Sequence, residues 1–241
     1  MCTLEKRGDV FLLTLTGDNE HRLNPSMINK IRTALHQVRT HAKPGSVLIT
    51  TAEGKFFCNG LDLAWARAAK SGLRHDCLDR LHLMVNEFRI VVADLISLPL
   101  PTIATVTAHA AAAGLMLAIS HDYVLMRKDR GVLYMSELDV GTTFPDYFME
   151  LMRSKIVLPG ARRNVVLRAA KIKPMEALEM GIIDSVHESS AETSEAALRL
   201  GDELGSRKWN GEVYSEIRKS SFPELCKVIG LIHKEVFAAK L

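Results

Sequence analysis

Short apolar, β-prone runs alternate along this chain with longer stretches of helical periodicity, and that alternation leaves few architectures open. Val10 to Leu15 reads VFLLTL and stops at the turn-forming Gly17-Asp18-Asn19, so it is predicted as a strand. Asn24-Pro25-Ser26 then opens MINKIRTALHQVRTH, where Met27, Ile31, Ala34, Leu35 and Val38 recur at helical spacing until Lys43-Pro44-Gly45. Ser46 to Thr51 supplies a second strand. Strand, helix, strand is a unit with parallel pairing. A long helix is predicted from about His75 to Ile96, with Leu78, Leu81, Val85, Phe88 and Val92 on one face, ending at Leu98-Pro99-Leu100-Pro101. Ile103 to Val106 reads as a buried strand, Ala110 to Ser120 as a small-residue helix and Tyr123 to Met126 as another strand. From Gly160 onward strand signals fade, and Ala161–Ala170, Pro174–Met180, Glu192–Leu204 and Glu212–Leu241 read as helices. The expected class is α/β with a helical C-terminal region.

Composition removes several functions. The 31 Lys and Arg against 28 Asp and Glu leave a net charge of +3, spread along the chain rather than gathered in blocks, and aromatics make up only 6%. Neither a phosphate-tracking basic stripe nor a base-stacking surface is expected, so no nucleic-acid partner is predicted. Leu95 to Leu117 is the longest weakly polar stretch, but Pro99, Pro101 and His109 interrupt it, and no membrane span is predicted. Cys2, Cys58, Cys77 and Cys226 form no CxxC pair, and the start lacks a secretory apolar segment, which indicates a reducing compartment. The nine histidines show no metal-ligand spacing, and no metal is predicted. There is no GxSxG elbow, no phosphate loop and no GxGxxG turn. What remains is chemistry by one acid or base with backbone dipoles, and the search narrows to places where N–H groups can converge on an oxygen.

Two segments qualify. Phe56-Phe57-Cys58-Asn59-Gly60-Leu61-Asp62-Leu63 leaves a strand, reaches Gly60 and turns polar at Asp62, as a chain does on entering a helix. An ordinary corner with Asp62 as a cap fits those residues equally. Ala110-Ala111-Ala112-Ala113-Gly114 is small enough for its backbone to approach a ligand closely, or to pack a helix tightly on a sheet.

FFCNGLDL, then PLPTIATVTAHAAAAGLMLAISHDYVL, then YMSELDVG, then KIKPMEALEMGIIDSV, in that order and spacing, resemble the crotonase (enoyl-CoA hydratase/isomerase) superfamily from Val10 to about Val186. Within it, Gly60–Leu63 is more similar to the isomerases than to the hydratases. The resemblance implies a repeated ββα spiral core that binds acyl-CoA, residues 1–190, followed by a C-terminal helical region, residues 191–241. It implies an oxyanion hole for the thioester oxygen from the backbone N–H groups of Leu61 and Ala113, with Gly60, Asp62, Gly114 and Phe144 in the substrate site. Aligning Ser120-His121-Asp122 with the family's tripeptide puts the first of the hydratases' two glutamates at Met116, which cannot exchange a proton, and the second at Glu137. One base suffices to move a double bond, whereas adding water is easier with two, so isomerisation is expected over hydration. Other crotonase-type activities and a non-catalytic acyl-CoA binder are the alternatives. Asp139 is a neighbouring candidate for the base, and Phe144, Tyr147, Phe148 and Met149 for an acyl tunnel or for core.

The resemblance also implies that CoA belongs to the substrate with no separate cofactor, and a homo-oligomer, trimer or hexamer. Cations of the C-terminal part, Lys227 or Lys234 among them, are candidates for the CoA phosphates. Ala239-Lys240-Leu241 is close to the Ser-Lys-Leu address read by the peroxisomal import receptor, although a plain helix end has the same residues. Peroxisomal localisation is expected.

Overall fold

The computed structural model describes residues 1–69 and 73–236. The strands are β1 (Cys2–Arg7), β2 (Val10–Leu15), β3 (Val47–Ala52), β4 (Phe56–Cys58), β5 (Thr102–Val106), β6 (His109–Ala111), β7 (Tyr123–Arg127), β8 (Leu133–Tyr134) and β9 (Ser185–His187). The helices are α1 (Pro25–His41), α2 (Leu63–Arg67), α3 (Arg74–Ile96), α4 (Ala113–Ile119), α5 (Glu137–Val140), α6 (Asp146–Lys155), α7 (Pro159–Leu167), α8 (Pro174–Glu179), α9 (Ser190–Ser206), α10 (Gly211–Ser221) and α11 (Pro223–Ile229). The chain winds as a spiral: β3, β5 and β7 each enter a large sheet, ordered β1-β2-β3-β5-β7-β9, and are followed by β4, β6 and β8 in a small sheet. Among the described residues only β1 runs antiparallel in the large sheet, and both pairings of the small sheet are parallel.

Alternation along the large sheet decides what packs on each side. Val47, Ile49, Ile103 and Leu125 point to one face and meet Ala196, Ala197 and Leu204 of α9. Phe11, Leu13, Leu48, Ala104, Val106, Val124 and Met126 point to the other, into the main core with α1, α3 and α4.

Several predicted boundaries need correction. Ala110 and Ala111 are strand, and the helix expected from Ala110 begins at Ala113, because β6 is paired on both sides by β4 and β8 and that pairing overrides the helix preference of alanine. The long C-terminal helix is two, broken at Phe222 before Pro223, and residues 231–236 have no regular structure. The strands Cys2–Arg7 and Ser185–His187 went unpredicted, being the half-exposed edge strands of the large sheet with too few apolar residues to read. Leu78 does not join the core but is exposed.

The C-terminal helices are fastened by a buried ion pair. Arg218 on α10 donates from Nε to Asp122 Oδ1 at 2.6 Å and from Nη2 to Asp122 Oδ2 at 2.5 Å, and also reaches the Leu98 and Leu100 carbonyls at 2.8 and 2.6 Å. Thr102 N–H donates to the same carboxylate at 2.9 Å. Burial works against the Asp122 charge, yet the guanidinium holds its carboxyl below the usual range. The small sheet is fastened by close backbone approach instead. A Cβ at Gly114 would lie 2.0 Å from the Cys58 carbonyl oxygen, so α4 begins in direct backbone contact with the end of β4.

Arg218→Met strands a buried carboxylate and is expected to cost about 3–5 kcal/mol in denaturant unfolding, part of it recovered by adding Asp122→Asn. Gly114→Ala is expected to cost at least about 2 kcal/mol by the same measurement, while Gly160→Ala, where a Cβ meets nothing within 4 Å, is neutral within about 0.5 kcal/mol.

Candidate active site

Three consecutive strands of the small sheet, β4, β6 and β8, end side by side, and the residues just beyond each end line one cavity of about 270 Å³. Beyond β4 the chain pairs with the segment after β2: Leu23 N–H donates to the Gly60 carbonyl at 2.8 Å and Asp62 N–H to the Leu23 carbonyl at 3.1 Å. In such a parallel bridge the intervening Leu61 turns its own N–H away from Leu23. Gly60 adopts φ +75°, and a Cβ there would sit 3.1 Å from the Ala111 oxygen and 3.4 Å from the Ala113 nitrogen. The two loops are therefore in contact at glycine.

Beyond β6, Ala112 takes φ 49° and ψ −123°, a conformation an alanine adopts only under constraint, of order 1–3 kcal/mol. Its N–H donates to the Tyr134 carbonyl of β8 at 2.8 Å, and its carbonyl accepts from Leu115 and Met116 at 2.9 and 3.2 Å. The bend starts α4 abruptly. Among the described residues neither the Leu61 nor the Ala113 N–H donates to any carbonyl or side chain, and both residues line the cavity.

Beyond β8, Ser136 and Glu137 follow. Rather than a loop, Glu137 opens the single turn of α5, which Gly141 closes at φ 72° while Thr142 N–H holds the Glu137 carbonyl at 3.0 Å. The side chain is 8% exposed, and its Oε2 is buried without a hydrogen-bond partner. Burial raises the carboxyl above its ordinary value, with the N–H groups of Glu137 and Ser136 partly offsetting it. Among the described residues lining the cavity Glu137 is the one carboxylate and Arg22 the one cation. Cys58, beneath, is no nucleophile, since burial pushes its thiol up to about 12.

Leu61, Ala113 and Glu137 thus meet in one place. Gly60 and Gly114 lie behind them as contact points between loops. Asp62 is spent as the cap of α2, accepting from Trp65 N–H at 2.9 Å, with Asn24 Nδ2 at 3.3 Å. Asp139 is exposed and outside the cavity lining, as is half-buried Phe144, which packs on the core. Of the four residues considered for a tunnel only Phe148 lines the cavity, while the Tyr147 hydroxyl donates to the Val85 carbonyl at 2.8 Å. Met116 is fully buried in α4 and is not part of the lining. Lys227 is exposed on α11, and Lys234, whose N–H donates to Glu216, lies beyond it. Ala239, Lys240 and Leu241 fall outside the described residues.

Sequence reasoning gave no role to Arg22, Asn59 and Tyr134, which line the cavity, and placed Leu81 and Val85, which also line it, only on the apolar face of a helix. The last two share the apolar face of α3 with core residues and pack against the core at their other side. Arg22 carried no signal, being one basic residue in a turn.

Residues 5–215 match the family model described as enoyl-CoA hydratase/isomerase. The chain is 56% identical to enoyl-CoA delta isomerase 2, peroxisomal, of Arabidopsis thaliana, over 99% of this chain and 98% of that protein. It is 54% identical to enoyl-CoA delta isomerase 3 of the same plant, over 96% of each. Among solved structures, an enoyl-CoA isomerase of Mycobacterium tuberculosis superposes with a TM-score of 0.82 at 19% identity, covering 95% of this chain and 94% of that one, a likeness of fold. With a family match across most of its length and two close full-length relatives, this chain belongs to the enoyl-CoA hydratase/isomerase family.

Proposed function

We propose that this protein is an enoyl-CoA isomerase that converts 3-cis or 3-trans enoyl-CoA into the 2-trans isomer during β-oxidation of unsaturated fatty acids. The observation that carries the reading is a single carboxylate, Glu137, with one oxygen that has no hydrogen-bond partner among the described residues, in a cavity lined also by Leu61 and Ala113, whose N–H groups are unpaired among those residues. The names of the two Arabidopsis relatives agree with it.

The chemistry follows from those groups. The thioester oxygen accepts from Leu61 and Ala113. Glu137 removes a proton from C2, the double bond shifts, and the charge of the resulting dienolate lies largely on the thioester oxygen. The two donors stabilise it, by about 2.7–4 kcal/mol each by analogy with other oxyanion holes. The protonated Glu137 then returns the proton to C4, which restores the carboxylate and leaves the double bond between C2 and C3. CoA is part of the substrate, and the proton cycle is complete without a separate cofactor. Burial suits Glu137 to this work, because a raised pKa makes a carboxylate a stronger base for a carbon-bound proton. Hydration would ask for a second carboxylate, and Met116 occupies the position implied for it.

The protein works in the peroxisome, in keeping with the peroxisomal relatives, and Ala239-Lys240-Leu241 is the address we assign to the import receptor. Exposed Leu138, Val140, Val157, Leu158 and Leu167 are apolar surface available for self-association into a trimer or hexamer.

Glu137→Gln is expected to lower conversion of 3-enoyl-CoA to 2-enoyl-CoA about a thousandfold, with binding of a saturated acyl-CoA changed less than about tenfold, and Asp139→Asn to stay within about threefold. Dominant water addition by the wild type, or the reverse ranking of the two variants, overturns the mechanism. Because burial raises the carboxyl of the free enzyme, the base is increasingly lost to protonation as the pH falls, so kcat/KM should decline in an acid limb above that of an exposed glutamate. Light scattering at roughly micromolar concentration should give the mass of a trimer or hexamer; a stable monomer refutes the assembly.

A further inference from the structure

One of the apolar residues lining the cavity, Phe148, is held on several sides. Leu81 and Val85 of α3 form one wall, both half-buried, with Pro145 and Phe148 contributed by the start of α6. Phe148 is 2% exposed and stands edge-on to Phe88 at 6.1 Å and to Tyr147 at 4.9 Å. Tyr147 is in turn pinned to α3 through the Val85 carbonyl. Behind them Met84, Phe88, Leu151 and Met152 are fully buried, so the ring cannot swing aside without opening the core between α3 and α6.

We propose that Phe148 closes the acyl end of the cavity and restricts the enzyme to short and medium chains, up to about ten carbons. The figure comes from the volume of the whole cavity, the space beside Leu61, Ala113 and Glu137 included: roughly 150 Å³ holds a six-carbon ring, which scales about 270 Å³ to about ten carbons counted from the thioester carbon. This inference rests on the isomerase reading, since it takes the ligand of this cavity to be an acyl-CoA. Up to the limit each added methylene finds apolar wall and should improve affinity about fourfold, and beyond it the improvement stops.

The test measures kcat/KM for 3-enoyl-CoA esters of roughly six to sixteen carbons, together with the binding of saturated acyl-CoAs of the same lengths to Glu137→Gln. The wild type is expected to fall at least about tenfold beyond about ten carbons. In Phe148→Ala the ratio of long-chain to short-chain kcat/KM should rise at least about tenfold, with Phe148→Leu intermediate. Should Phe148→Ala fail to fold, Val85→Phe fills the cavity from the α3 side and must shorten the preferred chain by about two carbons or more. A flat wild-type profile to the longest ester overturns the proposal, as does a Phe148→Ala or Val85→Phe loss equal at every length. Binding that breaks off at about ten carbons, with no ester isomerised, would overturn the proposed reaction and leave the length limit standing.

Discussion

The site depends on two backbones touching. No side chain lies between the end of β4 and the start of α4, because Gly114 meets the Cys58 carbonyl and Gly60 meets Ala111 to Ala113. With any Cβ at Gly114 the two loops would separate, and the N–H groups of Leu61 and Ala113 would no longer point into a common space. The small residues of these two segments are thus spacers of zero thickness, and their function is geometric.

The distribution of polar satisfaction follows from that. Where the C-terminal helices are fastened, buried charge is answered: Arg218 meets the Asp122 carboxylate and a set of carbonyls, and Asp122 also accepts from Thr102. Where the structure has to react, polarity is left open: one Glu137 oxygen without a donor and two N–H groups without an acceptor, beside an Ala112 in a strained conformation. Unpaired buried groups are costly, and although His21, Arg32, Arg80, Thr105 and His109 each carry one elsewhere, only in this cavity, among the described residues, does such an atom stand with two open N–H groups, which reads as capacity reserved for a substrate. The thioester oxygen and the carbon-bound proton are the complementary groups.

Much of this was legible in the sequence, for physical reasons that differ between elements. Val10–Leu15 announced itself as an apolar run that packs on both faces of the sheet, and the helix at Pro25–His41 by its one periodic apolar face. Glu137 did not: as one of two acids in SELDVG it had no periodicity to mark it, and only the resemblance singled it out. The alanine run misled because its pairing partners, β4 and β8, are distant in sequence and too short to be predicted. Leu81 and Val85 were open to two readings, since an apolar helix face looks the same whether it meets the core or a substrate.

The donors and the base stand on neighbouring rungs: Leu61 three residues past the end of β4, Ala113 two past β6, Glu137 three past β8. Parallel strands lie about 4.8 Å apart, with about 3.3 Å between successive residues. The small sheet therefore works as a ruler, and the span from thioester oxygen to base is graduated in units of strand spacing and rise. A slip of one residue in the Ala111–Tyr134 pairing would displace the start of α5, and Glu137 with it, by a whole graduation. Positional selectivity along the acyl chain, which carbon yields its proton and which receives it, is in this sense a property of strand register.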